Sequence, residues 1–404
     1  MKIGIVPLQI LQDKVVLYFK KGDKCMNETI QKAISFVNDV LNDALRGGFK
    51  VCCSISGGAD SDILVNLCEG VVPHFVDYVW FDTGIEYQAT KEHLTYLEDR
   101  YDIDITKEKA KCPVPLSSKR YGVPFLSKHI SEMIYRLQKH NFEWEDDSFE
   151  NLIKKYPKCK SALKWWTNEG DSKWFGIQRN VWLKEYMVKN PPQFKISPKC
   201  CEGAKKNPAA DYVKTYKVDL MITGIRQSEG GVRATAYKEP YYFNKHLNCI
   251  SFMPILFFTD SDRKEYENIF NIVHSDCYTK YGLLRTGCIG CPYGKDYIFE
   301  RNIAKQYEPK LSKAIENIWK EVYEYQDKYH EFQKVMNRKY KEKKKCICGC
   351  TEFTGDDVAM NLKYFGRDVK TLLCRGCFQN ITEMTDKEWD EAIEGFKAQG
   401  CELF

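Results

Sequence analysis

Ser56-Gly57-Gly58-Ala59-Asp60-Ser61 directly follows the apolar run Val51-Cys52-Cys53-Ser54-Ile55, an order that has the form of a pyrophosphate-binding loop opening a helix. Two adjacent glycines let the backbone turn tightly with its N–H groups aimed at phosphate oxygens, and the helix that follows adds the positive end of its dipole. Ser56 and Ser61 supply hydroxyl donors, whereas Asp60 meets a phosphate only through a cation such as Mg²⁺. The loop lacks the GxxxxGK[ST] spacing, which disfavours an ordinary P-loop kinase or GTPase. The plainer reading of the same residues is a Gly-Gly turn joining a strand to a helix.

The second set of chemically capable residues is the thiols, eighteen cysteines in 404 residues. No charged n-region followed by a long apolar segment opens the sequence and no run of about 18 apolar residues occurs, so a cytoplasmic protein with no membrane partner is expected. Clustered reduced thiols then point to metal or redox chemistry rather than disulfides. Cys200-Cys201 pairs with Cys288-Ile289-Gly290-Cys291. Neighbouring thiolates chelate one small tetrahedral ion only with strain, whereas an iron-sulfur cube accepts both, so a 4Fe-4S cluster is expected, with zinc and uncoordinated thiols as alternatives. Cys277 is a spare thiol that reads more simply as a buried structural cysteine. Cys346, Cys348 and Cys350 with Cys374 and Cys377 read as a zinc-ribbon-like module with a short hairpin between its knuckles, five thiols competing for four positions around Zn²⁺.

The SGGxDS loop resembles that of the PP-loop superfamily of ATP pyrophosphatases and phosphoadenosine phosphosulfate (PAPS) reductases. Asp82-Thr83-Gly84-Ile85-Glu86-Tyr87 is similar to the family's DTGxE segment, and Thr223-Gly224-Ile225-Arg226-Gln227-Ser228-Glu229 with Arg233 to its TGxRxxE…R segment. The paired cysteines and the CxxC, with Lys205-Lys206-Asn207-Pro208, resemble the cluster motif of adenylylsulfate reductases. The resemblance covers about residues 50 to 295. It implies an adenine nucleotide site of Ser56, Gly57, Gly58, Asp60, Ser61, Asp82, Thr83, Gly84, Glu86, Gly224, Arg226 and Glu229. Asp60, Arg226 and Arg233 are then candidate catalytic groups, guanidinium suiting bidentate phosphate or sulfate contacts. Cys401 near the end of the sequence is a candidate reductase thiol, although the ECGLH-like tail of such reductases is replaced by Gly400-Cys401-Glu402-Leu403-Phe404.

These groups need a scaffold that brings strand ends together. A helix from 28 to 46, strands at 49–56, 76–82 and 218–223, and a helix after 61 alternate as in an α/β doubly wound parallel sheet, which the resemblance makes adenine nucleotide alpha hydrolase-like. Four zones are expected: a strand pair in 1–26, a PP-loop domain over 27–300, a helical spacer over 301–345, and the zinc-ribbon-like module and tail over 346–404. A helical insertion over about 107–195 carries Trp144, Trp165, Trp166, Trp174 and Trp182. It reads as core or as an aromatic-basic cover at the mouth of the site. In the spacer, Ile315, Ile318, Trp319, Val322 and Tyr325 mark one apolar face.

Three functions fit. The first is an ATP pyrophosphatase that, with Mg²⁺, adenylates an acceptor for sulfur transfer, as in the DNA phosphorothioation sulfurtransferase and certain tRNA thiolases; DNA or tRNA is then the acceptor and a separate protein the sulfur donor. The second is a reductase of adenylyl sulfate or PAPS served by a thiol reductant, and the third a non-catalytic nucleotide- or nucleic-acid-binding module. The complete loop favours ATP over a sulfonucleotide. The basic residues Lys341, Lys343, Lys344, Lys345, Lys363, Lys370, Arg367 and Arg375, with Tyr364 and Phe365, are candidate nucleic-acid contacts. A net charge of +5 does not by itself imply a polyanionic partner.

Overall fold

The computed structural model describes residues 26–404 apart from 171–174, 231, 344–345, 367–368, 399–400 and 402, and for 232 and 338–343 it describes the backbone alone. The expected N-terminal strand pair and Trp174 lie outside the described residues. The described residues divide into two compact units: one within 26–143, 152–163 and 193–324, and one within 144–151, 164–192 and 325–404.

The larger unit is built on six strands, β1 (Val51–Ile55), β2 (Asp77–Asp82), β3 (Ile105–Lys109), β4 (Leu220–Thr223), β5 (Tyr241–Asn244) and β6 (Cys249–Phe252). Their order is β3-β2-β1-β4-β6-β5, parallel throughout except for antiparallel β5 at one edge. Successive connections run from β1 outward to β3 and then cross to β4 on the other side of β1. That reversal opens a crevice at the carboxyl ends of β1 and β4, where ligands bind in such sheets. The α/β doubly wound reading therefore holds, with β5 the one strand that departs from it.

Three helices matter for the site: α1 (Glu28–Gly47), α2 (Ala59–Val71) and α3 (Gln88–Tyr101). Along α1, Ile30, Ala33, Val37, Leu41 and Ala44 recur at helical spacing and are buried, which lays one face of the helix on the sheet. Asn27 caps its start by accepting the Ile30 N–H, and Gly48, at φ 66°, closes its end. The central strand β1 and helix α2 are buried nearly throughout, as a parallel sheet covered on both faces requires. On one face β1 and β2 pack with α1 and α2 through Val51, Cys53, Ile55, Tyr78 and Trp80; on the other, Cys52, Val79 and Phe81 meet Tyr212 and Val213. Residues 107–109, expected inside the helical insertion, instead pair with β2 as an edge strand. Helices do follow, at Val114–Tyr121, Lys128–Gln138, Phe149–Lys155, Lys160–Trp166 and Leu183–Lys189.

Helix α4 (Pro309–Lys343) begins in the larger unit and ends in the smaller. Its expected apolar face is buried at Ile315, Trp319, Val322 and Tyr325. Within the smaller unit, Trp165 and Trp166 are fully buried and Trp144 packs on Trp166, so these rings are core rather than a nucleic-acid surface. The Trp182 indole N–H donates to the Asn337 side chain at 2.8 Å. The unit also holds α5 (Gly355–Phe365), α6 (Arg375–Thr382) and α7 (Asp386–Ala398) around Met360, Phe378, Trp389 and Ile393. The hairpin expected between the cysteine knuckles is absent: α5 fills that interval, opened by the Thr354–Asp357 capping box.

Candidate functional site

The Ser56–Ser61 loop joins β1 to α2 in a form that only glycine permits at two positions. Gly57 adopts φ 66°, and a Cβ there would lie 2.7 Å from the Thr90 methyl; a Cβ on Gly58 would lie 2.8 Å from Thr286 Oγ1. The Ser61 hydroxyl braces the turn, accepting the Ser56 N–H at 2.9 Å and lying 3.0 Å from Ser56 Oγ. Gly58 is the N-cap of α2 and provides no side-chain cap. Among the described residues, no acceptor meets the N–H of Gly57 or Gly58. The Ala59 N–H is taken by the Tyr278 hydroxyl at 3.1 Å. The loop thus presents open donors at a helix start, the arrangement that receives a phosphate chain.

The TGxR segment lies on the neighbouring strand end. A Cβ on Gly224 would sit 3.3 Å from Asp60 Cβ, so its lack of a side chain lets β4 run close to the start of α2. Arg226 is buried and its Nε lies 2.9 Å from Asp60 Oδ1 as an ion pair without hydrogen-bond alignment. Its Nη1 donates to Asp260 Oδ1 at 2.9 Å and Ser228 Oγ at 2.7 Å. Burial raises the Asp60 carboxyl above the usual carboxylate range, with Arg226 opposing the shift. Glu229 accepts the Arg226 N–H and pairs with Arg233. Arg226 therefore clamps the loop through Asp60, and Arg233 is half-exposed on Glu229.

The DTGxE segment ends β2 beside β1. Asp82 accepts the Gly84 N–H at 2.8 Å, and Gly84 turns at φ 87° against Pro113. Thr83 and Glu86 are buried, Thr83 donating to Glu86 Oε1 at 2.9 Å. This segment also reaches the thiols: Glu86 and Cys288 form a β-bridge, the Ile289 N–H donates to the Ile85 carbonyl at 3.0 Å, and Cys288 donates to Thr83 Oγ1 at 3.4 Å. Two motifs some two hundred residues apart in sequence are one piece of backbone structure.

Cys200, Cys201, Cys288 and Cys291 come together at this junction. Cys200 hydrogen-bonds to Cys201, which pushes Cys200 up and brings Cys201 down to about 6, with Lys128, Lys205 and Lys206 adding to the fall. Burial raises Cys288, and raises Cys291 to about 12. Burial opposes the charge of Lys205, but Glu86, Cys288 and Cys201 outweigh it and raise its pKa. Lys205 lies 3.5 Å from Glu86. Four thiols with a cation beside them suit a polythiolate inorganic centre. Cys277 is fully buried against the Thr90 hydroxyl at 3.5 Å, in the structural place expected of it.

The smaller unit carries the other thiol site. Cys346, Cys348, Cys374 and Cys377 hold their sulfurs within 4.8 Å of one another, with Cys346 3.6 Å and Cys348 3.7 Å from Cys374. A tetrahedral zinc with Zn–S near 2.3 Å sets its sulfurs about 3.8 Å apart, so the quartet is sized for one ion. The Cys374 N–H donates to Cys346 Sγ, and Cys350 turns away to the Glu352 carbonyl. Cys350 is the fifth thiol. Arg375 is committed to Asp386 and Asp390, and Lys363 sits over the Phe396 ring. Lys344, Lys345 and Arg367 lie outside the described residues, as do the side chains of Lys341 and Lys343. Cys401 is half-buried with its N–H on the Phe396 carbonyl, and Phe404 stacks on Phe396, so both pack against α7.

Sequence reasoning missed three contributors. Tyr278 and Thr286 touch the glycine loop, yet belong to no motif. Asp62, buried one turn into α2, receives His93 Nε2 at 2.8 Å and His274 Nδ1 at 2.7 Å. A carboxylate directly ahead of the apolar run Ile63-Leu64-Val65 was its visible signal.

The phosphoadenosine phosphosulfate reductase domain profile matches residues 50–165 and 125–293, more than half the chain. The chain belongs to this family. A curated relative, the uncharacterized protein MJ0973 of Methanocaldococcus jannaschii, is 21% identical over 300 residues, covering 74% of this chain and 54% of its own length. The chain thus spans about half the length of the relative it matches. Among solved structures, the phosphoadenylyl-sulfate reductase of Candida auris in a phosphate complex aligns at 13% identity and TM-score 0.35, covering 71% of this chain and 98% of that one. The U34-tRNA thiolase NcsA of Methanococcus maripaludis, solved with its 4Fe-4S cluster, aligns at 12% identity and TM-score 0.33, with coverage of 75% and 79%. The FMN adenylyltransferase of Candida glabrata, in complex with FMN and an ATP analogue, gives 10% identity and TM-score 0.36, with coverage of 69% and 70%. Among the described residues no helix is long and apolar enough to cross a membrane.

Proposed function

We propose that this PAPS-reductase-family chain binds Mg-ATP at the Ser56–Ser61 loop and cleaves it to AMP and pyrophosphate, activating an acceptor for sulfur transfer. The observation that carries this reading is the intact glycine loop with open N–H groups at Gly57 and Gly58. Those donors and the start of α2 suit the β- and γ-phosphates, and Asp82, at the end of β2, is proposed to help hold Mg²⁺. Asp60, tied to Arg226, keeps the loop aligned with the TGxR strand. An acceptor oxygen attacks the α-phosphorus, the bond to the β-phosphate breaks and pyrophosphate leaves with its electron pair. A sulfur nucleophile then attacks the atom that bore that oxygen, carbon in a base or phosphorus in a backbone phosphate, and AMP departs with the former acceptor oxygen. Positioning and charge stabilisation supply most of the acceleration in such transfers, and Arg233, half-exposed and paired with Glu229, is proposed for that role.

Cys200, Cys201, Cys288 and Cys291 are proposed to hold a 4Fe-4S cluster. The four thiols act on one another electrostatically, and the adjacent pair suits a cube better than one tetrahedral ion. When bound, such a cluster supplies a redox-active, sulfur-ligating centre beside the DTGxE segment. The Cys346 quartet is proposed to hold a structural Zn²⁺. The acceptor is proposed to be DNA or tRNA and the sulfur donor a separate protein.

Anaerobically purified protein incubated with Mg-ATP tests the reading. Pyrophosphate and AMP are expected. Sulfite released instead from adenylyl sulfate or PAPS with thioredoxin, and lost in Cys401→Ser, would establish the reductase and end the sulfur-transfer reading.

A further inference from the structure

The sheet ends at β5, and its outermost strand carries three consecutive aromatic rings in the open. Tyr241, Tyr242 and Phe243 are 54%, 40% and 56% exposed. Soluble proteins usually blunt an edge strand with charge, proline or a covering element. Here the rings occupy the strand and the charges flank it, Lys238 before and Lys245 and His246 after, with Glu239 the acid among them. All four flanking side chains are exposed. Neither Lys238 nor Lys245 has an ion-pair partner among the described residues.

Alternation along the strand puts Tyr241 and Phe243 on one face and Tyr242 on the other. Tyr241 leans on Phe36 of α1 at 5.7 Å between ring centroids, while Tyr242 stacks on Tyr237 at 6.0 Å and 29°. The rings are held in register with the candidate site. Gln227 of the TGxR segment donates to the Tyr237 carbonyl at 2.6 Å, and the Met253 N–H donates to the Pro240 carbonyl at 2.6 Å. Tyr241 pairs with Phe252, the last residue of β6, so the aromatic strand begins at the crevice end of the sheet.

We propose that this edge, with Phe243 on one face and Tyr242 and Tyr237 on the other, stacks unpaired bases of a single-stranded nucleic acid, which deepens the sulfur-transfer reading by giving its acceptor a place to dock. Every base has a π-face, and aromatic rings between cations are the surface that sequence-tolerant single-strand binding uses. A second copy pairing edge to edge would set lysines against lysines at both ends of the strand. A protein strand adding to the edge would find only the four residues Tyr241–Asn244 to pair with. A polyanion with stackable bases satisfies both the rings and the flanking charges.

The test is fluorescence anisotropy of the full chain with labelled oligo-dT and oligo-U, without ATP. Binding of either is expected, falling steeply with salt. Tyr242→Ala and Phe243→Ala should each weaken it roughly five- to hundredfold, and Tyr242→Phe should retain it. Lys238→Glu with Lys245→Glu should weaken binding and flatten its salt dependence. Absence of binding, or alanine and glutamate variants that bind like the parent, overturns the proposal. So does a dimer in sedimentation that Tyr242→Ala dissolves, because the edge then belongs to a second copy. Pyrophosphate release in the same preparations keeps the two readings apart: binding without pyrophosphate removes the sulfur-transfer reading alone, and pyrophosphate without binding removes the platform alone.

Discussion

The Tyr278 hydroxyl accepts the Ala59 N–H at 3.1 Å, so a residue from beyond the sheet completes the first turn of the glycine loop's helix. Burial raises the Tyr278 phenol, which stays a neutral hydroxyl able to accept from Ala59 and donate onward. Tyr278→Phe removes one hydrogen bond of about 1 kcal/mol. Calorimetric titration with an ATP analogue should show roughly fivefold weaker binding with an unchanged fold; unchanged affinity would remove Tyr278 from the site.

Gly58→Ala tests the loop more severely. The new methyl group would sit 2.8 Å from Thr286 Oγ1 and 3.1 Å from the Tyr278 hydroxyl, so the loop must shift. Pyrophosphate release should fall at least about tenfold, since displaced phosphate donors lose the geometry that transfer depends on. A variant with parental activity would show that the loop does not grip the nucleotide.

Metal content separates the two thiol groups. Cys288→Ser is expected to lose iron and leave zinc, whereas Cys374→Ser is expected to lose zinc and destabilise the smaller unit, where the quartet joins a modest core. Cys350→Ser should keep its zinc, because Cys350 faces the Glu352 carbonyl. Elemental analysis of the three variants decides; zinc lost from Cys350→Ser would contradict the assigned quartet.

His274 makes stability depend on pH. Burial disfavours its charge, but the hydrogen bond to Asp62 and the Glu267 carboxylate 3.1 Å away outweigh burial and bring its pKa to about 9. Its folded value lies above the unfolded value of about 6.5, so the stabilisation is full below about 6.5 and is lost as pH rises through about 9. Thermal melts should therefore drop across this window, and His274→Gln should flatten the drop. Asp62→Asn leaves His274 and His93 without their shared carboxylate and should cost about 3–5 kcal/mol.

Much of the site was legible because its chemistry is local. The SGGADS, DTGIE and TGIR segments each lie at the end of an apolar strand, and a strand end in a parallel sheet has only one face of the crevice to point to. Edge strands β3 and β5 were not legible: Thr106, Lys107, Glu108 and Lys109 look like solvent-facing helix or loop, and only pairing with buried β2 makes them a strand. Tyr278, Thr286 and the Asp62 pair of histidines were hidden for a related reason. Their partners are far along the chain, and no periodicity reports a contact between Ala59 and Tyr278. The zinc-ribbon-like hairpin failed on capping, since Thr354-Gly355-Asp356-Asp357 is a helix start that outweighs the alternation after it.

The β-bridge between Glu86 and Cys288 bears on how the chain is made. Synthesis runs from the amino end, and the glycine loop and DTGxE segment leave the ribosome long before the CxxC turn that pairs with them. Until that turn emerges, the Ile85 carbonyl lacks its partner and Gly58 lacks Thr286 and Tyr278 against it. The crevice is thus finished late, and a nascent chain stalled before residue 288 would carry its nucleotide motifs without a working grip on a nucleotide.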